Sequence, residues 1–138
     1  MENNFPKARL IQFRGHRDVR GNLIFIEGEG DIPFKINRIY YIYDVPFGAS
    51  RAGHAHRNLE SILIPLNGAF DVILDDGESR TKFEMRSPEE GLLIPKMVWR
   101  ELENFTSGAV CLALASAAYD EDDYFRKYED FKIALEKI

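Results

Sequence analysis

The chain is poor in the residues that metal and thiol chemistry need. It holds one cysteine, Cys111, and three histidines, His16, His54 and His56, among 138 residues. A lone cysteine excludes an intrachain disulfide, and its place in the apolar run AVCLALA reads as core. No run of 18 apolar residues occurs, so no membrane partner is expected, and the opening MENNFPKARL has no apolar signal stretch. No glycine-rich dinucleotide loop is present. Basic residues are not in excess: 18 Lys and Arg against 23 Asp and Glu give a net charge of −5. That balance argues against general nucleic-acid binding and leaves room for a local basic pocket that takes an anionic ligand. A soluble, cytoplasmic protein is the expectation. Apolar residues at 45% and charged residues at 30% exclude disorder, and the length suits a single domain over residues 1–138.

What is present is a series of short strand signals. Residues 9–13 form an apolar run, residues 16–21 (HRDVRG) are polar and turn-like, and residues 22–27 (NLIFIE) read as a second strand. Residues 36–43 (INRIYYIY) are rich in β-branched and aromatic side chains and too short for a helix between their flanks. Further strands are expected at 59–66, 70–74, 81–85, 91–94, 97–102 and 109–115. Asn67-Gly68 and Asp75-Asp76-Gly77 are hairpin signals, and Ser87-Pro88 and Pro95 mark other turns. About nine or ten short strands without a helical crossover predict an all-β antiparallel sandwich or small barrel. The cupin jelly roll fits both the count and the turns. From Asp120 the tail DEDDYFRKYEDFKIALEKI sets Tyr124, Tyr128, Phe131 and Leu135 at three- and four-residue steps, which predicts one amphipathic helix.

Two of the three histidines, His54 and His56, lie two residues apart and are followed by Glu60. On a strand such a pair shares one face, about 6–7 Å apart. Gly48, five residues, HxH, three residues and Glu60 match the first cupin motif, although seven rather than six residues separate Glu60 from Gly68. In the second motif Gly91 and Pro95 are followed by Arg100 where a last histidine ligand is expected. A permanently charged arginine has no acceptor and opposes a divalent cation. Only His16 is left to recruit, so no metal site is expected. Without a metal, two imidazoles with pKa values normally near 6.5 suit general acid/base chemistry on a carbon acid or a sugar hydroxyl.

The chain resembles the cupin-type nucleotide-sugar ketoisomerases that act on dTDP-4-keto-6-deoxyglucose. The resemblance is carried by DVRGNL at 18–23, IPFKINRIYYIYD at 32–44, RAGHAH at 51–56, VILDDG at 72–77, SPEEGLLIP at 87–95, VWREL at 98–102 and LASAAYDEDDYFRKYEDF at 114–131. It implies a jelly-roll homodimer with exchanged N-terminal strands and no metal or other cofactor. It further implies movement of the hexose keto group from C4 to C3 on a dTDP-linked substrate. Two departures stand out. An alanine and a glycine separate Arg51 from His54 where an aromatic residue usually precedes the first histidine, and Arg100 replaces a histidine found in some members.

The resemblance assigns His54 as the base at C3 and leaves His56 to shuttle the proton. Arg51 is placed to stabilise the oxyanion or hold a phosphate, or else to form a surface ion pair. Arg20 reaches the diphosphate or lies solvated in its loop. Tyr41 is chosen among Tyr40, Tyr41 and Tyr43 for a hydroxyl facing the sugar. Arg100 is expected to face the pocket and Trp99, on the opposite side, to pack in the core or an interface. Glu60 orients an imidazole or lies exposed on its strand. Alternatives are a metal-free 3,5-epimerase on the same sugar, a metal-dependent cupin, and a sugar-nucleotide-binding module without turnover.

Overall fold

β-Branched and aromatic residues alternating with polar ones favour short strands with one dry face and one wet face. The computed structural model describes residues 7–138. One five-stranded sheet has the order β1 (Arg9–Gln12), β9 (Glu90–Ile94), β6 (Ser61–Asn67), β11 (Val110–Ala115) and β4 (Arg38–Tyr43). The second has the order β12 (Tyr124–Phe125), β5 (Arg51–His56), β10 (Trp99–Glu103), β7 (Phe70–Asp75) and β8 (Arg80–Met85). A separate hairpin joins β2 (Gly15–Asp18) to β3 (Gly21–Ile24), and α1 (Tyr128–Glu136) ends the chain. Strand pairing within these sheets is antiparallel throughout. This is an all-β, cupin-like sandwich with a C-terminal helix.

Between the sheets lies a core of Leu63, Phe70, Val72, Leu74, Met85, Leu92, Ile94, Leu102 and Ala113. Cys111 is buried in it, and burial pushes its thiol up to about 12. β6 is apolar on both sides because both sides are covered: Leu63 faces the second sheet, while Ile62 and Ile64 pack outward against Phe13, Ile32 and Phe34. Outside the second sheet, α1 lays Phe131 over Ala55 and Trp99. Complete burial of that phenyl ring is worth about 1.5–3 kcal/mol of transfer free energy.

Three features depart from the sequence expectations. Asn67-Gly68 closes no hairpin; it carries the chain from β6 in one sheet to β7 in the other. Gly68 adopts φ 66°, and the loop after β10 holds this corner. There Asn67 Nδ2 donates to the Gly108 carbonyl at 2.8 Å, and the Ala69 N–H donates to Thr106 Oγ1 at 2.9 Å. Asp75–Gly77, by contrast, does close the β7–β8 hairpin. Residues 16–21 are not a simple turn: they contribute to the β2–β3 hairpin, which stays polar because it is largely exposed on both faces. With β2 and β12, the strands among the described residues number twelve.

The tail helix also starts later than its periodicity suggests. Asp120 caps a 3-10 turn at Glu121–Asp123, and Tyr124 and Phe125 then pair with His56 and Ala55 at the edge of β5. Pairing there satisfies backbone groups of β5 and buries Phe125 beneath α1, which outweighs the helical pattern of the same residues.

Candidate active site

A bulge on β5 sets the direction of its side chains. Arg51 pairs with Leu102 and Ala52 with Glu101, but the next pair is His54 with Arg100, so Gly53, at φ 81°, is the extra residue. His54 and Arg100 therefore leave the second sheet side by side, pointing between the sheets. Arg100 is 2% exposed and crosses the sandwich to the start of β6, where its Nη1 donates to Ser61 Oγ at 2.7 Å. Its Nη2 donates to the Val98 carbonyl at 3.3 Å. Among the described residues two buried side-chain atoms have no hydrogen-bond partner, and they belong to these neighbours: His54 Nε2 and Arg100 Nε.

His56 is 2% exposed, and its Nδ1 lies 3.1 Å from Asp123 Oδ2. The same carboxylate accepts the backbone N–H groups of Asn58 at 2.8 Å and Leu59 at 3.2 Å. An acceptor so engaged places the imidazole proton on Nδ1 and leaves Nε2 with a lone pair. The two imidazoles meet edge to face with centroids 4.9 Å apart, and the Tyr124 ring lies 4.3 Å from His56 and 5.0 Å from His54. Arg126 stacks 3.9 Å above Tyr124 and is held by Glu121. On β4, Arg38 stacks over Tyr40 and over Tyr119 from the tail.

Burial, followed by the nearby Arg100 cation, pushes His54 down to about 2 and His56 down to about 3. Both imidazoles are therefore neutral at physiological pH, each with a lone pair on its unprotonated ring nitrogen. Burial likewise lowers Arg100 to about 10, which leaves it cationic at neutral pH. Burial raises the Tyr40 hydroxyl, with Arg100 acting in the opposite direction. Among the described residues, no group of three His, Cys, Asp or Glu side chains is placed to hold a metal ion.

Of the residues singled out in the sequence, His54, His56 and Arg100 come together. Tyr41 does not: it is 63% exposed on the outer face of β4, and Tyr40, on the inward face, is the tyrosine near Arg100. Arg51 lines a shallow depression of about 210 Å³ with Tyr41 and Tyr43, away from the imidazoles. Arg20 sits at the exposed tip of the β2–β3 hairpin, paired with Asp18 at 2.8 Å. Glu60 is half-buried and held through its backbone by Ser116, whereas Asp123 is the carboxylate on an imidazole. Trp99 packs outward against Tyr128 and Phe131. Asp123, Tyr124, Tyr40 and Ser61 were not selected from the sequence. The run of acids in DEDDYF hides Asp123, and the helical periodicity of the tail draws Tyr124 into the wrong element.

The chain matches the family described as FdtA: WxcM-like, C-terminal, over residues 6–136. It is 44% identical over 130 residues to the TDP-4-oxo-6-deoxy-alpha-D-glucose-3,4-oxoisomerase of Aneurinibacillus thermoaerophilus, covering 94% of each chain. Its fold superposes on a 3,4-ketoisomerase from Helicobacter canadensis with a TM-score of 0.91 at 40% identity, over 94% of this chain and 97% of the other. QdtA, a 3,4-ketoisomerase of Thermoanaerobacterium thermosaccharolyticum, is also similar; a histidine-to-asparagine mutant of it is known in complex with TDP-4-keto-6-deoxyglucose. That structure gives a TM-score of 0.92 at 41% identity over 94% of both chains. With its buried imidazole pair seated in the same sandwich as these enzymes, the chain belongs to the FdtA family, the cupin-fold sugar 3,4-ketoisomerases.

Proposed function

We propose that His54 and His56, backed by Asp123 and Arg100, carry out the proton transfers of a sugar 3,4-ketoisomerase in this chain. The substrate is dTDP-4-keto-6-deoxyglucose and the product its 3-keto isomer. The ketone at C4 acidifies C3–H, and removal of that proton gives an enediolate with its charge on O4. Delivery of a proton to C4, with transfer of the O3 proton to O4, gives the 3-ketone. C3–H and O3–H are lost, C4–H and O4–H are gained, and no external oxidant is consumed. His54, whose Nε2 is buried and free, takes the C3 proton. His56, oriented by Asp123 and edge to face with His54, takes that proton over on Nε2 and delivers it to C4, which returns both rings to their neutral forms. Arg100 faces the oxyanion.

The observation that carries this reading is the pair of unpartnered buried atoms, His54 Nε2 and Arg100 Nε, a base and a cation set side by side. The test is proton NMR of dTDP-4-keto-6-deoxyglucose with the protein in D₂O. Loss of the C3–H signal with growth of a 3-keto sugar is expected, and His54→Asn is expected to slow it by about 10²–10⁴-fold. An unchanged C3–H signal with the sugar bound overturns the reading.

The reading includes a homodimer that exchanges β1. Among the described residues this four-residue strand joins its sheet along β9 alone, an edge pairing that the same strand of a second copy can make instead. Light scattering is expected to give twice the 15.9 kDa of one chain. Among the described residues no helix is long and apolar enough to cross a membrane.

A further inference from the structure

We infer that Ser61 is a positioning residue for the isomerisation, holding the Arg100 guanidinium so that its free Nε–H meets the oxyanion of the enediolate. The inference rests on the ketoisomerase reading above.

Arg100 is a fully buried cation, and among the described residues no carboxylate forms an ion pair with it. A buried charge without a counter-ion is costly to maintain. It becomes useful where the reaction itself generates an anion for a short time, and the enediolate is such an anion. Arg100 pairs directly with His54 across β5 and β10, so the two side chains leave the sheet on the same face.

An arginine side chain has several rotatable bonds and stabilises a transition state only when its direction is fixed in advance. Ser61 supplies that fixation. It is 1% exposed, and its backbone is paired on both sides, with Ile94 of β9 and Ala115 of β11. Its hydroxyl holds Nη1 at 2.7 Å, and the Val98 carbonyl holds Nη2, so Nε is the side left open. The chemistry of the partner matters as much as its position. A neutral hydroxyl orients the guanidinium without neutralising it, whereas a carboxylate at residue 61 would occupy the cation permanently.

The experiment is a double-mutant cycle on the intact chain, with turnover of dTDP-4-keto-6-deoxyglucose followed by NMR. Ser61→Ala is expected to lower kcat by roughly 10- to 100-fold, below the effect of deleting a direct oxyanion donor, with KM within about threefold of the parent. Ser61→Thr, which keeps the hydroxyl, is expected to recover most of that loss. In the Arg100→Met background, Ser61→Ala is expected to change kcat less than about twofold, because the group it acts through is gone. An unchanged kcat in Ser61→Ala overturns the inference, and so does an equal fold-loss in both backgrounds. A parent protein that binds the sugar but leaves C3–H intact overturns the ketoisomerase reading instead.

Discussion

At the residue scale, the two histidines of the HxH pair differ in what holds them. His56 is tied through Nδ1 to Asp123, while His54 ends in an Nε2 with no partner. The carboxylate fixes one tautomer of His56 and stabilises the imidazolium that forms when its ring takes a proton. Asp123→Asn should therefore be damaging out of proportion to its size. An amide in that place turns a donor toward Nδ1 and favours the tautomer whose Nε2 is already protonated. The expected result is a fall in kcat of about 10²–10⁴-fold with KM little changed, read from steady-state kinetics. A loss below about threefold would show that the tautomer of His56 is immaterial. The HxH pair and Arg100 were legible in the sequence because spacing along a strand fixes which way they face. Asp123 was not, because it reaches His56 across 67 residues of chain. For a related reason the alternation in β4 separates Tyr41 from Tyr40 but does not show which of the two is inward.

At the element scale, the strands themselves were largely legible, and the misreadings fell where a local signal met a long-range contact. Asn67-Gly68 supplies the positive φ that a tight turn needs, but whether the flanking strands pair with each other depends on β11 and β9, which occupy the flanks of β6. Residues 120–127 carry helical periodicity, yet the open edge of β5 captures Tyr124 and Phe125 as a strand. The glycine at 53 gave no sign of a bulge, though it redirects every side chain before it on β5. The helix that does form has a definite structural task, since Phe131 is 0% exposed and packs against Trp99, Tyr128 and Phe125. Phe131→Ala leaves a cavity behind the strand that carries the histidines. It is expected to lower the free energy of unfolding by about 3–5 kcal/mol, measured by urea denaturation. A change below about 1 kcal/mol would mean that α1 is not part of the cooperative fold.

At the scale of the whole molecule, keeping two imidazoles neutral inside the sandwich links its stability to pH. Arg100 and Arg126 disfavour protonation of both rings, Arg38 also disfavours it at His56, and Glu121 acts the other way on His54. Asp123 faces His56, and Tyr124 lies against both rings. Burial dominates, and the folded values are about 2 and about 3. In the unfolded chain each imidazole binds its proton near pH 6.5. Between these limits the unfolded state holds more protons than the folded state, so stability rises with pH and is lost as pH falls below about 6.5. Each histidine contributes a slope approaching about 1.4 kcal/mol per pH unit. From pH 7 to pH 5 the pair should remove about 2–4 kcal/mol, above the range where most unfolded carboxylates titrate. Urea denaturation of the parent and of a His54→Gln, His56→Gln variant at both pH values separates this effect from the rest of the protein. The variant is expected to lose markedly less stability on acidification. Equal losses in the two proteins would mean that the imidazoles gain protons in the folded state as readily as in the unfolded one, and that the site does not hold them neutral.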